Sequence, residues 1–468
     1  MGNRCVDHAD HHLGEHQRAD GHDCRTGCSV CPGGCEVGCG LDLVRVSTGN
    51  GTRVEPTYDP RVTDSPLSIW RNGQFRSYVA STSLTGFSFS MQMLLINWLL
   101  IGVLHTSADQ VGIAHAIIGV PGFFIMLWGG ARADRVDARA LMIRTYALAA
   151  LPPLVLAAIH AGGALSYWAV TLTALALSTA IAYAGPAHAA ILNRVSGSRV
   201  QEGVTATMAL GFLVQLLGLG LAGQLDRIGV ETVLFAQCLA LLVGCLMIRR
   251  LQSFAPHPSH VHDSVLASLL EGFQVVMRDR LLVSLMSLNL ASMLFNFGTF
   301  TIVFPFIMTQ TYGGDAAFLG WMLVLFFFGG MMSNFIMLAF MPLAQPGRLF
   351  LGMQLTRALI FVLFWIQPPL WVLVLATFLW GLNMGVTMTT ARAIVQECSQ
   401  AAYRARTLAV FNALSIGAQP FGALLLGWVI SVFGPLDAML PGMLVSAAIG
   451  VIGIAATPIW SYRSSEAS

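Results

Sequence analysis

Side chains that carry charge or titrate are scarce in the apolar part of this 468-residue chain, so each one is a candidate for chemistry. Arg357 lies about nine residues into an apolar stretch, where a cation must be hydrated, paired or turned inward. Facing a cavity it favours an anionic or carboxylate-bearing ligand; snorkelling to headgroups is the other reading. Arg392 sits nearer a helix end, where snorkelling is favoured, and Glu397 belongs to the surface close by. His115 and His188 are the candidate buried histidines. His188 follows Gly185–Pro186, where a loosened backbone can open it to a cavity, and an imidazole titrates near neutral pH, so it is the proton-coupling candidate. Packing or an interfacial position is the competing reading for a lone histidine.

Uncharged polar residues are also set deep in apolar sequence: Gln92, Asn97, Gln215, Asn289, Asn296, Asn334, Asn383, Asn412 and Gln419. Asn289 and Asn296, seven residues apart, share one helical face. Each can contact a solute or bond a neighbouring helix, the latter worth about 1 kcal/mol or less. No nucleophile–base set and no phosphate-binding Walker loop is present, which argues against an enzyme and against direct ATP use. Cys24, Cys28, Cys31, Cys35 and Cys39 lie near five histidines in the amino-terminal tail, but only Cys28-Ser-Val-Cys31 has zinc-like spacing and no second pair completes it. No metal and no cofactor is assigned.

The elements that position these residues follow from composition. Hydrophobic residues make up 55% of the chain and charged residues 10%, with mean hydropathy +0.69. A water-facing surface needs roughly 25% charged residues, so most of this surface faces lipid. Net charge +2 without a basic stripe excludes a nucleic-acid partner. Residues 1–66 are polar and are expected to be disordered, or to precede a natural start near 45–65. They lack the pattern of a signal peptide.

Twelve apolar segments follow, each long enough to cross about 30 Å of hydrocarbon. They run near 78–104, 111–130, 141–162, 165–187, 203–226 and 230–249, then near 282–311, 315–341, 349–366, 369–396, 405–433 and 436–461. The expected fold is an all-α polytopic membrane protein. Its twelve transmembrane helices form two six-helix bundles, at 67–250 and 276–463, joined by a linker at 251–275 and closed by a tail at 464–468. All 25 basic residues are arginine. Arg71, Arg76, Arg132, Arg135, Arg139, Arg144, Arg194, Arg199, Arg249, Arg250, Arg278, Arg280, Arg348, Arg404, Arg406 and Arg463 fall on one set of loops, against Arg227 alone on the other. The positive-inside rule then puts both termini and the linker in the cytoplasm, with the chain multi-pass in the inner membrane.

The two sets of six also repeat. Residues 70–84 parallel 276–290, Asp109 and Asp315 each open a second span, and 208–225 parallels 411–429. A six-span repeat of unchanged orientation implies two bundles related by an axis along the membrane normal.

Between spans 2 and 3, Gly130-Ala-Arg-Ala-Asp134-Arg135-Val-Asp137-Ala138-Arg139 resembles the G-x-x-x-D-R-x-G-R-R loop of the major facilitator superfamily. Gly130, Asp134, Arg135 and Arg139 match; Asp137 stands in a glycine place and Ala138 in a basic one. Physically, Gly130 lets helix ends approach, Asp134 suits the positive end of a neighbouring helix, and the arginines suit carboxylates or lipid phosphates. These four form a candidate conformational latch; simple anchoring is the alternative. Tyr403-Arg-Ala-Arg406, the basic lead-in before span 1 and Arg278-Asp-Arg280 resemble the drug and siderophore exporter branch, which includes the enterobactin exporter. The resemblance covers roughly residues 68–460.

That resemblance implies a central cavity lined by spans 1, 4, 7 and 10, which makes Gln92, Asn289, Asn296 and Asn383, with Arg357, the substrate-binding candidates. It implies a monomer that exports small amphipathic molecules by alternating access, with protons, membrane lipids and a small-molecule substrate as partners. An importer of a small organic solute, or a non-transporting sensor or assembly factor on the same scaffold, remain the alternatives. Spans outside 4 and 10 hold no mid-membrane carboxylate, which a proton-driven carrier ordinarily uses.

Overall fold

A computed structural model describes residues 69–133, 137–252, 265–341, 343–400 and 403–464, and every regular element among them is helical. Among the described residues twelve helices are long and apolar enough to cross a membrane. Spans 1 to 6 are Gly73–Val103, Ala108–Ile125, Ala138–Ala161, Tyr167–Gly185, Glu202–Ala222 and Val230–Arg249. Spans 7 to 12 are Arg280–Thr311, Ala316–Phe340, Pro346–Trp365, Leu370–Cys398, Arg404–Phe433 and Met439–Ala456. A separate amphipathic helix, Val265–Arg278, leads into span 7.

Local chemistry explains the irregularities. Span 3 breaks at Ala150, just before Pro152–Pro153, whose rings remove donors and crowd the preceding turn. Span 7 carries Pro305 between two wide turns, Thr299–Val303 and Ile307–Thr311. Such i→i+5 turns re-satisfy carbonyls that a proline orphans, and a membrane helix must satisfy them internally. Asp279 and Asp315 cap spans 7 and 8 by accepting from Leu281 and Phe318 backbone N–H groups.

Packing inside the two halves is the same list twice. Span 1 packs on spans 5 and 6, as span 7 packs on 11 and 12. Span 2 packs on 4 as 8 on 10; span 3 packs on 4 and 6 as 9 packs on 10 and 12. The halves meet through spans 2 and 11 and through spans 5 and 8, pairs that exchange under the repeat. A two-fold axis along the membrane normal generates this pattern, as the internal repeat predicts.

The core is continuous at one end only. At the end opposite the arginines, Leu94, Leu99, Val111 and Leu219 of the first half share one buried cluster with Phe304, Leu319, Phe326 and Leu426 of the second. At the arginine-rich end the halves have separate clusters. One is built on Phe75, Met142, Tyr146 and Ile248, the other on Leu282, Leu285, Phe350 and Ile394. Outside the cores, Leu148, Leu239, Phe421 and Leu444 are exposed, as a lipid-facing surface requires. Trp168, Trp321, Trp371 and Trp428 are exposed close to the ends opposite the arginines, a tryptophan belt at the second membrane–water interface.

Candidate functional site

Arg357 makes four side-chain hydrogen bonds in the second half. It is fully buried and reaches from span 9 to spans 7 and 10. Its Nε donates to Asn383 Oδ1 at 3.0 Å, and its Nη2 to Thr387 Oγ1 at 3.0 Å. Nη1 donates to Ser292 Oγ at 2.6 Å and to Gln354 Oε1 at 3.3 Å. Asn383 is itself fixed, donating from Nδ2 to Met353 O at 2.7 Å and to Thr356 Oγ1 at 2.8 Å. Every acceptor on the guanidinium is neutral, so the cation is bonded without a counter-charge. Helical spacing explains the cluster: Gln354 precedes Arg357 by one turn, and Thr387 follows Asn383 by one turn. Ser292 lies between Asn289 and Asn296 on the face those two share.

Asn296 and Asn289 serve other neighbours. Asn296 Oδ1 accepts from Trp380 Nε1 at 3.0 Å. Trp380 is enclosed by Phe300, Phe304, Phe326, Phe361 and Phe364, with ring centroids 5.2–5.9 Å away. Asn289 Nδ2 meets Ser415 Oγ at 3.4 Å, while its Oδ1 has no partner.

The first half builds two smaller polar contacts. Gln237 of span 6 donates to Gln92 Oε1 at 2.8 Å and to Ser88 O at 3.1 Å. His188, on the continuation of span 4 toward the arginine-rich end, has Nε2 at 2.6 Å from Tyr146 Oη. Tyr78 Oη donates to the His188 carbonyl at 3.1 Å, and both tyrosine rings pack against the imidazole. His115 Nδ1 turns back to the Val111 carbonyl of its own helix at 3.0 Å.

The sequence-derived substrate residues are therefore not gathered at one point. Arg357 and Asn383 bond each other, whereas Gln92, Asn289 and Asn296 each join a different interhelical contact, all at 7% exposure or less. Ser292, Gln354, Thr387 and Gln237 were the partners not foreseen. Their signal is one-turn or same-face spacing for the first three; Gln237 has none.

At the arginine-rich end, Gly130 lies in the helix Ala108–Ala133, and Asp134 and Arg135 lie outside the described residues. Arg139 Nη2 donates to the Arg249 carbonyl at 2.7 Å, a contact within the first half, from the start of span 3 to the end of span 6. Asp137 caps span 3, accepting from Arg139 N at 3.0 Å, which gives the carboxylate in the glycine place a local task. Glu271 of the amphipathic helix pairs with Arg406 of span 11 at 2.5 Å, where Gly272 abuts the Arg406 backbone. Glu397 accepts from Tyr462 Oη at 2.9 Å, and burial together with Cys398 and Glu397 holds that phenol protonated well above its usual range.

Between the halves, glycine permits backbone contact. A Cβ on Gly112 would lie 2.6 Å from Ala423 O, and one on Gly119 would lie 3.1 Å from Pro420 Cγ, along spans 2 and 11. On spans 5 and 8, a Cβ on Gly320 would lie 2.7 Å from Gly223 Cα. Beside it Asp226 Oδ2 accepts from the Ala316 N–H at 3.1 Å, so a carboxylate of the first half caps span 8 of the second. Among the described residues no group of three or more His, Cys, Asp or Glu could hold a metal ion.

Two parallel-repeat bundles meet through spans 2/11 and 5/8, and the family model that spans both makes the chain a membrane transporter of major facilitator type, not an enzyme. The family described as Transmembrane secretion effector (MFS_3) matches residues 64–464, and the chain belongs to that family. No curated protein matches the sequence. Among solved structures, the nucleoside transporter NupG is similar with TM-score 0.66 at 15% identity, over 83% of this chain and 99% of that one. The human organic anion transporter TETRAN is similar with TM-score 0.60 at 17% identity, over 82% and 99%. A D-xylose–proton symporter is similar with TM-score 0.61 at 14% identity, over 82% and 98%. At these identities the likeness is one of fold.

Proposed function

We propose that the chain is a secondary active exporter of small amphipathic molecules, of drug or siderophore type, working by alternating access in the cytoplasmic membrane. The observation that carries this reading is the asymmetry of the core: fused at one end of the halves, divided at the other. Two bundles joined at one end and parted at the opposite one are what a rocking carrier presents in one of its two states. The arginine loops and the tryptophan belt support an orientation with both termini, and the divided end, in the cytoplasm. The family's description as a secretion effector favours export over import.

In this reading Gln92, Asn289, Asn296, Asn383 and Arg357 supply substrate contacts as spans 1, 7, 9 and 10 shift. His188 carries the coupling proton between the two tyrosine-bearing helices. Gly130, Asp134, Arg135 and Arg139 form the latch that closes when the divided ends meet. The test is a compound-susceptibility screen of a deletion strain, complemented by this gene or by its Asp134→Asn variant, paired with counterflow in inverted vesicles. Export predicts rescue by the wild type, weaker rescue by the variant, and uptake into inverted vesicles. Identical rescue by both sinks the latch, and substrate movement in the opposite sense replaces export with import.

A further inference from the structure

The Arg357 cluster has an imbalance that goes beyond its bonds. A guanidinium offers five N–H groups. Four are taken by Asn383, Ser292, Gln354 and Thr387, which leaves one on Nη2. Alongside, the Gln354 Nε2 amide is buried without any partner. Gln354 is itself fully buried, and its Oε1 already accepts from both Ser292 and Arg357. Asn383 Oδ1 and Thr387 Oγ1 each accept from the arginine. Thr387 Oγ1 donates onward to the Asn383 carbonyl, and Asn383 Nδ2 is spent on span 9. The site thus holds a full positive charge, unpaired N–H donors and no anionic acceptor. A buried cation without a counter-ion is among the costliest arrangements in a membrane protein, and such residues mark substrate or ion paths.

We infer that Arg357 and Gln354 form an anion-recognition site and that the transported molecules carry a carboxylate or a comparable oxyanion. This rests on the export reading for the word "transported"; the binding chemistry stands on the cluster alone. A carboxylate accepts from several donors at once and matches the planar fork of arginine, whereas an amide or amine brings donors where donors are already in excess. Arg357 selects through charge, Gln354 through its unused N–H groups. Partners on spans 7 and 10 tie the site to the helices that move when the halves rock.

The test uses purified full-length protein in detergent at fixed ionic strength. Thermal melting is followed against benzoate and against benzamide, its neutral near-isostere. Benzoate is expected to raise the melting temperature at concentrations at least tenfold below those benzamide requires. Arg357→Gln should erase that preference. Gln354→Met, which keeps the apolar volume and leaves three of the arginine's bonds in place, should weaken the benzoate response several-fold, and it serves if the arginine variant does not fold. Equal responses to benzoate and benzamide, or a preference unchanged in Gln354→Met and in a folded Arg357→Gln, overturn the inference and make the cluster a structural knot closed by water. Benzoate binding without export in the vesicle assay refutes the export reading alone. Export that shows no preference for anions refutes this inference alone.

Discussion

Gly320→Ala is the sharpest probe of how the halves move. The added Cβ would stand 2.7 Å from Gly223 Cα and 3.1 Å from Leu94 Cδ1. Unbonded carbons rest at about 3.5–4.0 Å, so spans 5 and 8 must separate by roughly 1 Å where their backbones now touch. Overpacking of this kind costs about 1–3 kcal/mol. The cost falls only on the state in which these ends are joined; once they part, the methyl meets lipid or water. The equilibrium should therefore move toward the state with the end opposite the arginine-rich loops open, by about 5- to 150-fold at 1.4 kcal/mol per decade. Leu219, fully buried in the shared cluster one turn before Gly223, offers the readout. In a cysteine-free background carrying Leu219→Cys, a membrane-impermeant maleimide applied from that side should react faster in the Gly320→Ala protein by the same factor. Unchanged labelling in a variant that melts normally would refute the rocking interface.

The other predictions are smaller in scope. Asp226→Ala removes the acceptor on the span 8 N-terminus and should speed Leu219→Cys labelling in the same direction. The effect should be about fivefold, since an exposed charge at a helix end is worth about 1 kcal/mol or less. Arg357→Ala deletes four interhelical or one-turn bonds, and at about 0.6 kcal/mol each in a membrane bundle it should lower stability by about 2–3 kcal/mol in a detergent-unfolding titration. Arg357→Lys should recover less than half of that, because one ammonium cannot address three helices. His188→Gln should abolish accumulation driven by a pH gradient while leaving counterflow within about twofold. Loss of both, or of neither, would remove His188 from the coupling role.

The helical frame was legible because lipid imposes a simple rule on composition. The expected sixth span, 230–249, coincides with Val230–Arg249, and the expected seventh, 282–311, opens two residues inside Arg280–Thr311. Boundaries differ by five residues at span 12, where apolar Ile459 and Trp460 extend the hydrophobic stretch to 461 but the helix ends at Ala456, and at span 1, where Asn72 caps an earlier start at Gly73. The polar contacts were harder to read. Arg357 stands out as an intramembrane cation, and spacing puts Ser292 and Thr387 on the faces of Asn289 and Asn383, but whether those faces meet Arg357 depends on how three helices rotate against each other, which no single-helix period encodes. Gln92 was singled out without Gln237, its partner 145 positions away. Asp226, in the short helix Leu225–Ile228 between spans 5 and 6, carries no sequence signal for the helix it caps in the other half.

The aromatic enclosure of Trp380 separates the halves in stiffness, although the repeat makes them alike in outline. Phe300 and Phe326 stack at 4.3 Å, and both stand edge-on to Trp380, whereas the buried residues that the first half gives to the same cluster are aliphatic, among them Leu94, Leu99, Val111, Ala114 and Ala174. Large interlocked rings resist sliding, since any shear forces several of them out of their rotamers together. Smaller, unstacked aliphatic side chains shift past one another at less cost. When the carrier rocks, deformation within the bundles should therefore concentrate in the first half, while the second turns as a block. Substitutions would then be felt unequally: changes near Ala114 or Ala174 should alter turnover, and changes to the phenylalanines around Trp380 should alter how much protein survives folding more than turnover.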